Sequence, residues 1–215
     1  MINENMTDVN SFVSSLINQG VLKTPRIIEA FEKIDRADFV PAELKKDAYV
    51  DRPLSIGEGQ TISQPYTVAF MIELLQPKSG DKIFEVGFGS GWQTAILAEI
   101  VGGKGKIFAV ERIEKLFEFG AKNISKYNFI KKGIVKTILA DATRGLEKYA
   151  PFDGIIAAAS GDKVLELWLK ELKINGRLVI PIKESIWLYV KKSENKFDKQ
   201  EFPGFVFVPL VSEKK

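Results

Sequence analysis

The 215-residue chain contains no cysteine and no histidine. Without cysteine it has no disulfide, no thiolate nucleophile and no cysteine-held zinc. Without histidine it lacks the usual general base near neutral pH and the commonest metal ligand. No apolar run approaches the length that crosses a bilayer. The opening stretch MINENMTDVNSF is polar and acidic, unlike a signal peptide, so a cytoplasmic location is the default expectation. An excess of one charge is also scarce: 31 basic and 28 acidic side chains leave a formal net charge of +3. That surplus reads as solubility rather than nucleic-acid binding. The lysine pairs at 45–46, 131–132, 191–192 and 214–215 read as solvated faces.

What is present is an ordinary globular composition and a patterned chain. The length suits one large domain with a helical appendage, enough to bury a substantial core. The division expected is a helical N-terminal segment and loop over 1–64, then an α/β core over 65–215. FVSSLINQGVL and TPRIIEAFEKI have near-helical apolar spacing, with Thr24 a candidate N-cap before Pro25. RADFVPAELKKDAYVDRPLSIGEGQTISQ is irregular, yet its apolar residues (Phe39, Val40, Tyr49, Leu54, Ile56) argue that it is ordered.

PYTVAFMIELL (65–75) predicts a strongly amphipathic helix. Strands then alternate with helices: KIFEV (82–86), GWQTAILAEIVG, KIFAVE (106–111), IEKLFEFGAKNISKY, IVKTILAD (134–141) and FDGIIAAA (152–159). VLELWLKEL predicts a helix ending near Asn175–Gly176. RLVIPI (177–182) and SIWLYVKK (185–192) predict strands around a Lys183–Glu184 turn, and EFPGFVFVPLV predicts a last strand. This alternation predicts a mostly parallel sheet with helices on both faces and an antiparallel edge.

The segment EVGFGSGW (85–92) lies between a predicted strand and a predicted helix. Gly87, Gly89 and Gly91 let the backbone turn sharply and approach a ligand, although a plain strand-to-helix turn needs no ligand at all. The spacing G-x-G-x-G fails the dinucleotide fingerprint at Trp92, and no Gly-Lys-Ser/Thr phosphate loop follows. Glu85 stands two residues before the first glycine, where an acid would repel a pyrophosphate but favour an amino group. The next two strands end at Glu111 and Asp141. An acid at the first of these positions commonly receives ribose hydroxyls. Each acid alone is most simply a helix N-terminal charge. Together they describe a ligand with a ribose and an amino group but no phosphate, and S-adenosylmethionine (SAM) is such a ligand.

Several blocks then resemble one family: RADFVP (36–41), AYVDRPLSIGEGQTIS (48–63), EVGFGSGWQTAILAEIVG (85–102), APFDGII (150–156), GRLVIPI (176–182) and FVPL (207–210). The chain resembles the protein-L-isoaspartate O-methyltransferases, with DRPLSIGEGQTIS the most specific match. The resemblance implies a Rossmann-like SAM-dependent methyltransferase fold, α/β with a seven-stranded, mostly parallel sheet and an N-terminal helical extension. It implies transfer of the SAM methyl to the α-carboxyl of L-isoaspartyl residues in damaged proteins and peptides, leaving S-adenosyl-L-homocysteine. The methyl ester then collapses to a succinimide, part of which hydrolyses to aspartate. No metal is implied, and a monomer is.

By the same resemblance, Ser63 is the active-site serine that orients the isoaspartyl carboxylate, and the backbone at Thr61 and Ile62 flanks the transfer site. Gly87, Gly89 and Ser90 surround the methionine portion of SAM, with Glu85 toward its amino group. Glu111 binds the ribose with Arg112 beside it, and Asp141 and Ala142 hold the adenine edge. Val208, Pro209 and Val211 border the peptide site. The chain departs from the family pattern at Phe88, Trp92 and Tyr66 and in ADATRG (140–145), which bears on cofactor affinity and the width of the adenine site. Two alternatives stay in view: methylation of aspartate in a dedicated peptide precursor, and SAM binding with lost catalysis. If Ser63 has a purely structural role, it caps the helix that starts at Pro65.

Overall fold

A computed structural model describes residues 8–211 of the chain. The lysine pair at 214–215 and residues 1–7 of the acidic leader lie outside the described residues. In chain order the elements are α1 (Val9–Asn18), α2 (Pro25–Lys33), β1 (Leu54–Gly57), β2 (Gln60–Ile62), α3 (Pro65–Leu75), β3 (Lys82–Val86) and α4 (Trp92–Val101). They continue with β4 (Lys106–Glu111), α5 (Glu114–Ser125), β5 (Val135–Leu139), β6 (Phe152–Ala157), α6 (Glu166–Lys170), β7 (Leu172–Ile182), β8 (Ser185–Ser193) and β9 (Lys196–Pro203). A seven-stranded sheet runs β5-β4-β3-β6-β7-β8-β9. It is parallel from β5 through β7, and β8 and β9 add the antiparallel edge.

Period-2 alternation sends residues of one strand into two cores. Ile83 joins the core shared with α1 through α5, whereas Phe84 and Val86 point to the other side, among Phe108, Phe152 and Trp168. That second face is covered by α6 and the turns at 142–150. The helices are therefore on both faces but unequally distributed. Phe12, Leu16, Ile27 and Phe31 of α1 and α2 belong to the first core, so the N-terminal helices and the sheet share one apolar interior.

Four expectations are corrected. The helix α3 is not strongly two-faced: Thr67, Val68, Ala69, Met71, Ile72 and Leu75 are all buried, because it is sandwiched between the sheet and the N-terminal helices. The Asn175–Gly176 pair does not end a helix. It lies inside β7, where Asn175 takes a φ of +66° and the pairing with β6 shifts register. The last strand is Lys196–Pro203 rather than 201–211, and beyond it the chain runs on as an extended tail. Lys191 is not on a solvated face. It is buried, and its Nζ donates to the Lys170 and Leu172 carbonyls at 3.3 and 2.9 Å.

Thr24 is the N-cap of α2 by position, but its side chain does not cap it. Its hydroxyl donates to Glu73 Oε2 of α3 at 2.7 Å, and the Lys23 and Thr24 N–H groups both donate to Glu73 Oε1 at 2.8 Å. One carboxylate on α3 thus receives the start of α2. Glu73→Ala is expected to destabilise the fold by about 1–2 kcal/mol, the scale of a lost cap. For a chain this long that corresponds to a melting temperature lower by roughly 2–8 °C. An unchanged melting temperature would show that water replaces the carboxylate without loss.

Candidate active site

The strand order reverses between β3 and β6, and at such a switch point a parallel sheet opens a crevice beyond its carboxyl ends. The loop after β3 enters this crevice with Gly87, Gly89 and Gly91 all at positive φ. Gly91 is fixed by space as well as by conformation. A Cβ there would meet Ile124 Cγ1 at 2.7 Å and the Gly120 carbonyl at 2.9 Å. The Gly87 N–H donates to the Val110 carbonyl at 2.8 Å, and Ser90 Oγ accepts from the Trp92 N–H at 3.3 Å. The Ser90 carbonyl accepts from Asn123 Nδ2 of α5 at 3.1 Å.

The departures in this loop, Phe88 and Trp92, line the crevice and also pack against neighbouring helices. The Phe88 ring packs 5.7 Å from that of Phe117 on α5, centre to centre. Trp92 packs against Phe31 and Phe12 and donates through Nε1 to the Ile34 carbonyl at 3.3 Å, so it anchors the N-terminal helices on α4. Tyr66 stacks on Phe70 with ring centres 6.4 Å apart.

The three acids have different surroundings. Glu85 is fully buried, and Oε1 accepts from Gln93 Nε2 at 3.0 Å. Oε2 has no hydrogen-bond partner, nor has the buried Thr94 hydroxyl. Burial pushes the Glu85 carboxyl up to about 7, and nearby Glu111 adds to the rise. The neighbouring Thr94 hydroxyl, outside hydrogen-bond geometry with the carboxyl, and the Gln93 hydrogen bond act in the opposite direction without offsetting burial. Glu111 Oε1 accepts from the Arg112 and Ile113 N–H groups at 2.8 and 3.0 Å, and Oε2 from the Gly89 N–H at 3.1 Å. It therefore ties the glycine loop to the end of β4. Asp141 Oδ1 accepts from the Thr143 N–H and hydroxyl at 2.9 and 2.7 Å, capping a single 3-10 turn. The Ala142 carbonyl accepts from Trp168 Nε1 at 3.0 Å.

Opposite the glycine loop stands the antiparallel pair β1–β2, followed by Ser63. This hairpin was not legible in the sequence: its strands are short, and Gly57, Glu58 and Gly59 take up the turn at positive φ. Ser63 does not cap α3. The N-cap is Gln64, and Asp51 Oδ1 instead accepts from the Tyr66 N–H at 2.8 Å. The Ser63 carbonyl accepts from Arg36 Nη2 at 3.1 Å, whereas its hydroxyl makes no hydrogen bond among the described residues.

The glycine loop, the three acids and the hairpin with Ser63 border one cleft. It encloses about 930 Å3, open space at its mouth included. Thr61, Ile62 and Ser63 form one wall, and Glu85, Gly87, Gly89 and Ser90 the opposite one. Glu111, Arg112, Asp141 and Ala142 lie at the strand ends, with Val208, Pro209 and Val211 along the rim. The tail reaches the rim because Ser160 accepts from the Leu210 N–H at 2.7 Å and donates its own N–H to Val208 at 2.8 Å. Among the lining residues absent from the sequence-based site are Ile56, Gln60, Gln93, Ala158 and Ala159. Gln93 carried a signal, as a buried polar residue on the mostly apolar helix α4.

A family model described as protein-L-isoaspartate(D-aspartate) O-methyltransferase matches residues 7–215. A protein-L-isoaspartate O-methyltransferase of Methanopyrus kandleri is 40% identical over 205 residues, 94% of this chain and 90% of the relative. One of Flavobacterium psychrophilum is 41% identical over 208 residues, 95% of this chain and 94% of the relative. A Plasmodium falciparum protein assigned to the same activity, solved in complex with S-adenosyl-L-homocysteine, superposes with a TM-score of 0.86 at 25% identity. That match covers 95% of this chain and 99% of the other.

Proposed function

The chain belongs to the protein-L-isoaspartate(D-aspartate) O-methyltransferase family, and on that premise we propose that it transfers the SAM methyl group to the α-carboxyl of L-isoaspartyl residues in proteins and peptides. The carrying observation is the chemistry of the cleft wall. Among the described residues, those that the hairpin and tail give to the lining, Thr61, Ile62, Ser63 and Val208–Val211, include no lysine, tyrosine, glutamate or aspartate. The hairpin and tail thus bring no base of their own to the acceptor among the described residues. An acceptor there must arrive already ionised, and a carboxylate of pKa roughly 4 does so at neutral pH. An amine or an alcohol would need a proton removed.

The cofactor end fits the cofactor's shape of charge. Glu85 offers a buried carboxyl oxygen without a partner, which suits an amino group. Glu111 offers oxygens that suit ribose hydroxyls, and Asp141 with the Ala142 backbone suits an adenine edge. Gly87, Gly89 and Ser90 give the close backbone approach between them, beside Arg112. Bound SAM supplies a methyl group on a sulfonium, already a good leaving group. The protein's part is to hold the acceptor oxygen in line with it. The free Ser63 hydroxyl is placed to donate to the acceptor carboxylate, and the peptide groups of Thr61 and Ile62 flank it. Pro209 and Val211 are exposed at the rim, so an acceptor embedded in a longer peptide can enter.

The shared core of the N-terminal helices and the sheet supports one catalytic domain. Among the described residues no helix is long and apolar enough to cross a membrane. A cytoplasmic monomer without affinity for nucleic acid is the rest of this reading, and light scattering in solution tests the monomer. The activity test pairs an isoaspartyl peptide with its aspartyl twin and labelled SAM. Label is expected on the first peptide alone. Equal label on both removes the isoaspartyl assignment, and label on neither favours SAM binding without turnover.

A further inference from the structure

Asp51 and Arg36 belong to the two most family-like blocks of the irregular segment, and no role in the reaction has yet fallen to them. Asp51 Oδ1 accepts from the Tyr66 N–H of α3 at 2.8 Å, and Oδ2 accepts from Gln64 Nε2 at 3.2 Å. A residue just before a helix is the expected partner for that N–H. Here a carboxylate from 15 residues upstream takes its place. Arg36, buried in the core, donates to the Ala48 carbonyl at 2.6 Å, the Arg52 carbonyl at 3.1 Å and the Ser63 carbonyl at 3.1 Å. Its guanidinium lies 5.4 Å from the centre of the Trp92 ring. The segment carrying Asp51 is thus pinned from beneath, and the residues on either side of the Ser63 hydroxyl are fixed without using it.

We propose that Asp51 is a positioning residue: by accepting from the Tyr66 N–H and from the Gln64 side chain, it fixes the start of α3 beside Ser63 and so holds the Ser63 hydroxyl in place for the acceptor carboxylate. This rests on the reading of Ser63 given above. Two effects of Asp51 need to be separated, the place of its acceptor oxygen and its charge near Arg36. Asp51→Asn keeps an acceptor in place and removes the charge. Asp51→Glu keeps the charge and displaces the acceptor by one methylene. Positioning predicts that kcat on the isoaspartyl peptide stays within about twofold for Asn and falls about tenfold or more for Glu, since small misplacements near a reacting centre are costly. A charge role predicts the reverse order.

Calorimetry with S-adenosyl-L-homocysteine is run on every variant, and its dissociation constant is expected to stay constant. Asp51→Ala is added if it folds, as judged by its thermal transition. Combined with Ser63→Ala, it is expected to cost no more than Ser63→Ala alone, because residues acting through one group are not additive. Multiplying losses in the double variant, or the reversed Asn and Glu order, overturn the positioning role. Full turnover by Ser63→Ala overturns the reading of Ser63 and the proposal with it, whereas an impaired Ser63→Ala beside multiplying losses overturns the proposal alone.

Discussion

Gly120→Ala is expected to cripple cofactor binding, although in most helices the same change stabilises. Glycine within a helix is worse than alanine by about 0.5–1 kcal/mol, so alanine at an exposed site is a gain. Gly120 lies in α5 and is buried against the cofactor loop. A Cβ there would stand 2.3 Å from the Gly89 carbonyl oxygen and 2.6 and 2.8 Å from the Phe88 ring. The ring can rotate, but the carbonyl cannot withdraw without moving Gly89, whose N–H is bonded to Glu111 at 3.1 Å. Overpacking of this kind costs about 1–3 kcal/mol, more than the propensity gain. The displaced atoms are those proposed to approach the methionine portion and the ribose. We expect S-adenosyl-L-homocysteine to bind about 100-fold more weakly, given how steeply misplacement penalises a preorganised site. Adding Phe88→Ala is expected to recover stability in part and affinity little, because the backbone clash persists. Wild-type affinity in Gly120→Ala would show that the loop yields freely and is not fixed by α5.

That contact also marks where the sequence stops being legible. The glycines at 87, 89 and 91 were readable because a strand, a turn and a helix follow one another within a few residues, and local chemistry decides such turns. The acids at the strand ends were readable because a parallel sheet brings its carboxyl ends to one edge. Gly120 was not, since a lone glycine inside a helical pattern looks the same whether it faces water or a loop from another strand. The same holds for Asp51 and Arg36, whose partners lie 15 and 27 residues away across an irregular segment. Asn175–Gly176 shows a different limit. A left-handed asparagine followed by glycine suits both a helix end and a strand irregularity, and only the pairing of β7 with β6 chooses between them. The tail was misplaced for a related reason. Phe205–Val211 alternates like a strand, but among the described residues its strand-like pairing is a single isolated bridge, Pro209 with Ser160, so it makes a rim and not an eighth member of the sheet.

Glu85 supplies the other large effect, through the pH dependence of binding. In the free protein its carboxyl is pushed up to about 7, mainly by burial, so below neutral pH it is mostly protonated. A cationic amino group arriving at its free oxygen favours the ionised form, and binding below pH 7 therefore expels a proton. The affinity for S-adenosyl-L-homocysteine is expected to rise by up to about tenfold per pH unit between roughly 5.5 and 7, and then to level off. In that window the ligand's own amino group, that of a free amino acid, which titrates above even a peptide α-amino group, stays charged. Stability runs the other way. A carboxyl whose folded pKa lies above its unfolded one keeps its proton in the native state after the unfolded chain has lost it. The free protein therefore loses stability as pH rises from about 4.5 to 7, and above that carries the full penalty, on the order of 3 kcal/mol. Glu85→Gln removes both effects at once. It keeps the acceptor for Gln93, gains an N–H that can donate to the unpartnered Thr94 hydroxyl, and has no charge to bury. At pH 8 we expect the free variant to melt several degrees higher than the natural chain while binding about 100-fold more weakly, the scale of a lost buried charge partner. Its affinity should no longer vary between pH 5.5 and 7. A Glu85→Gln protein that keeps the wild-type pH slope would move the titration to another group. A natural chain with no slope would mean that Glu85 is already ionised when the site is empty.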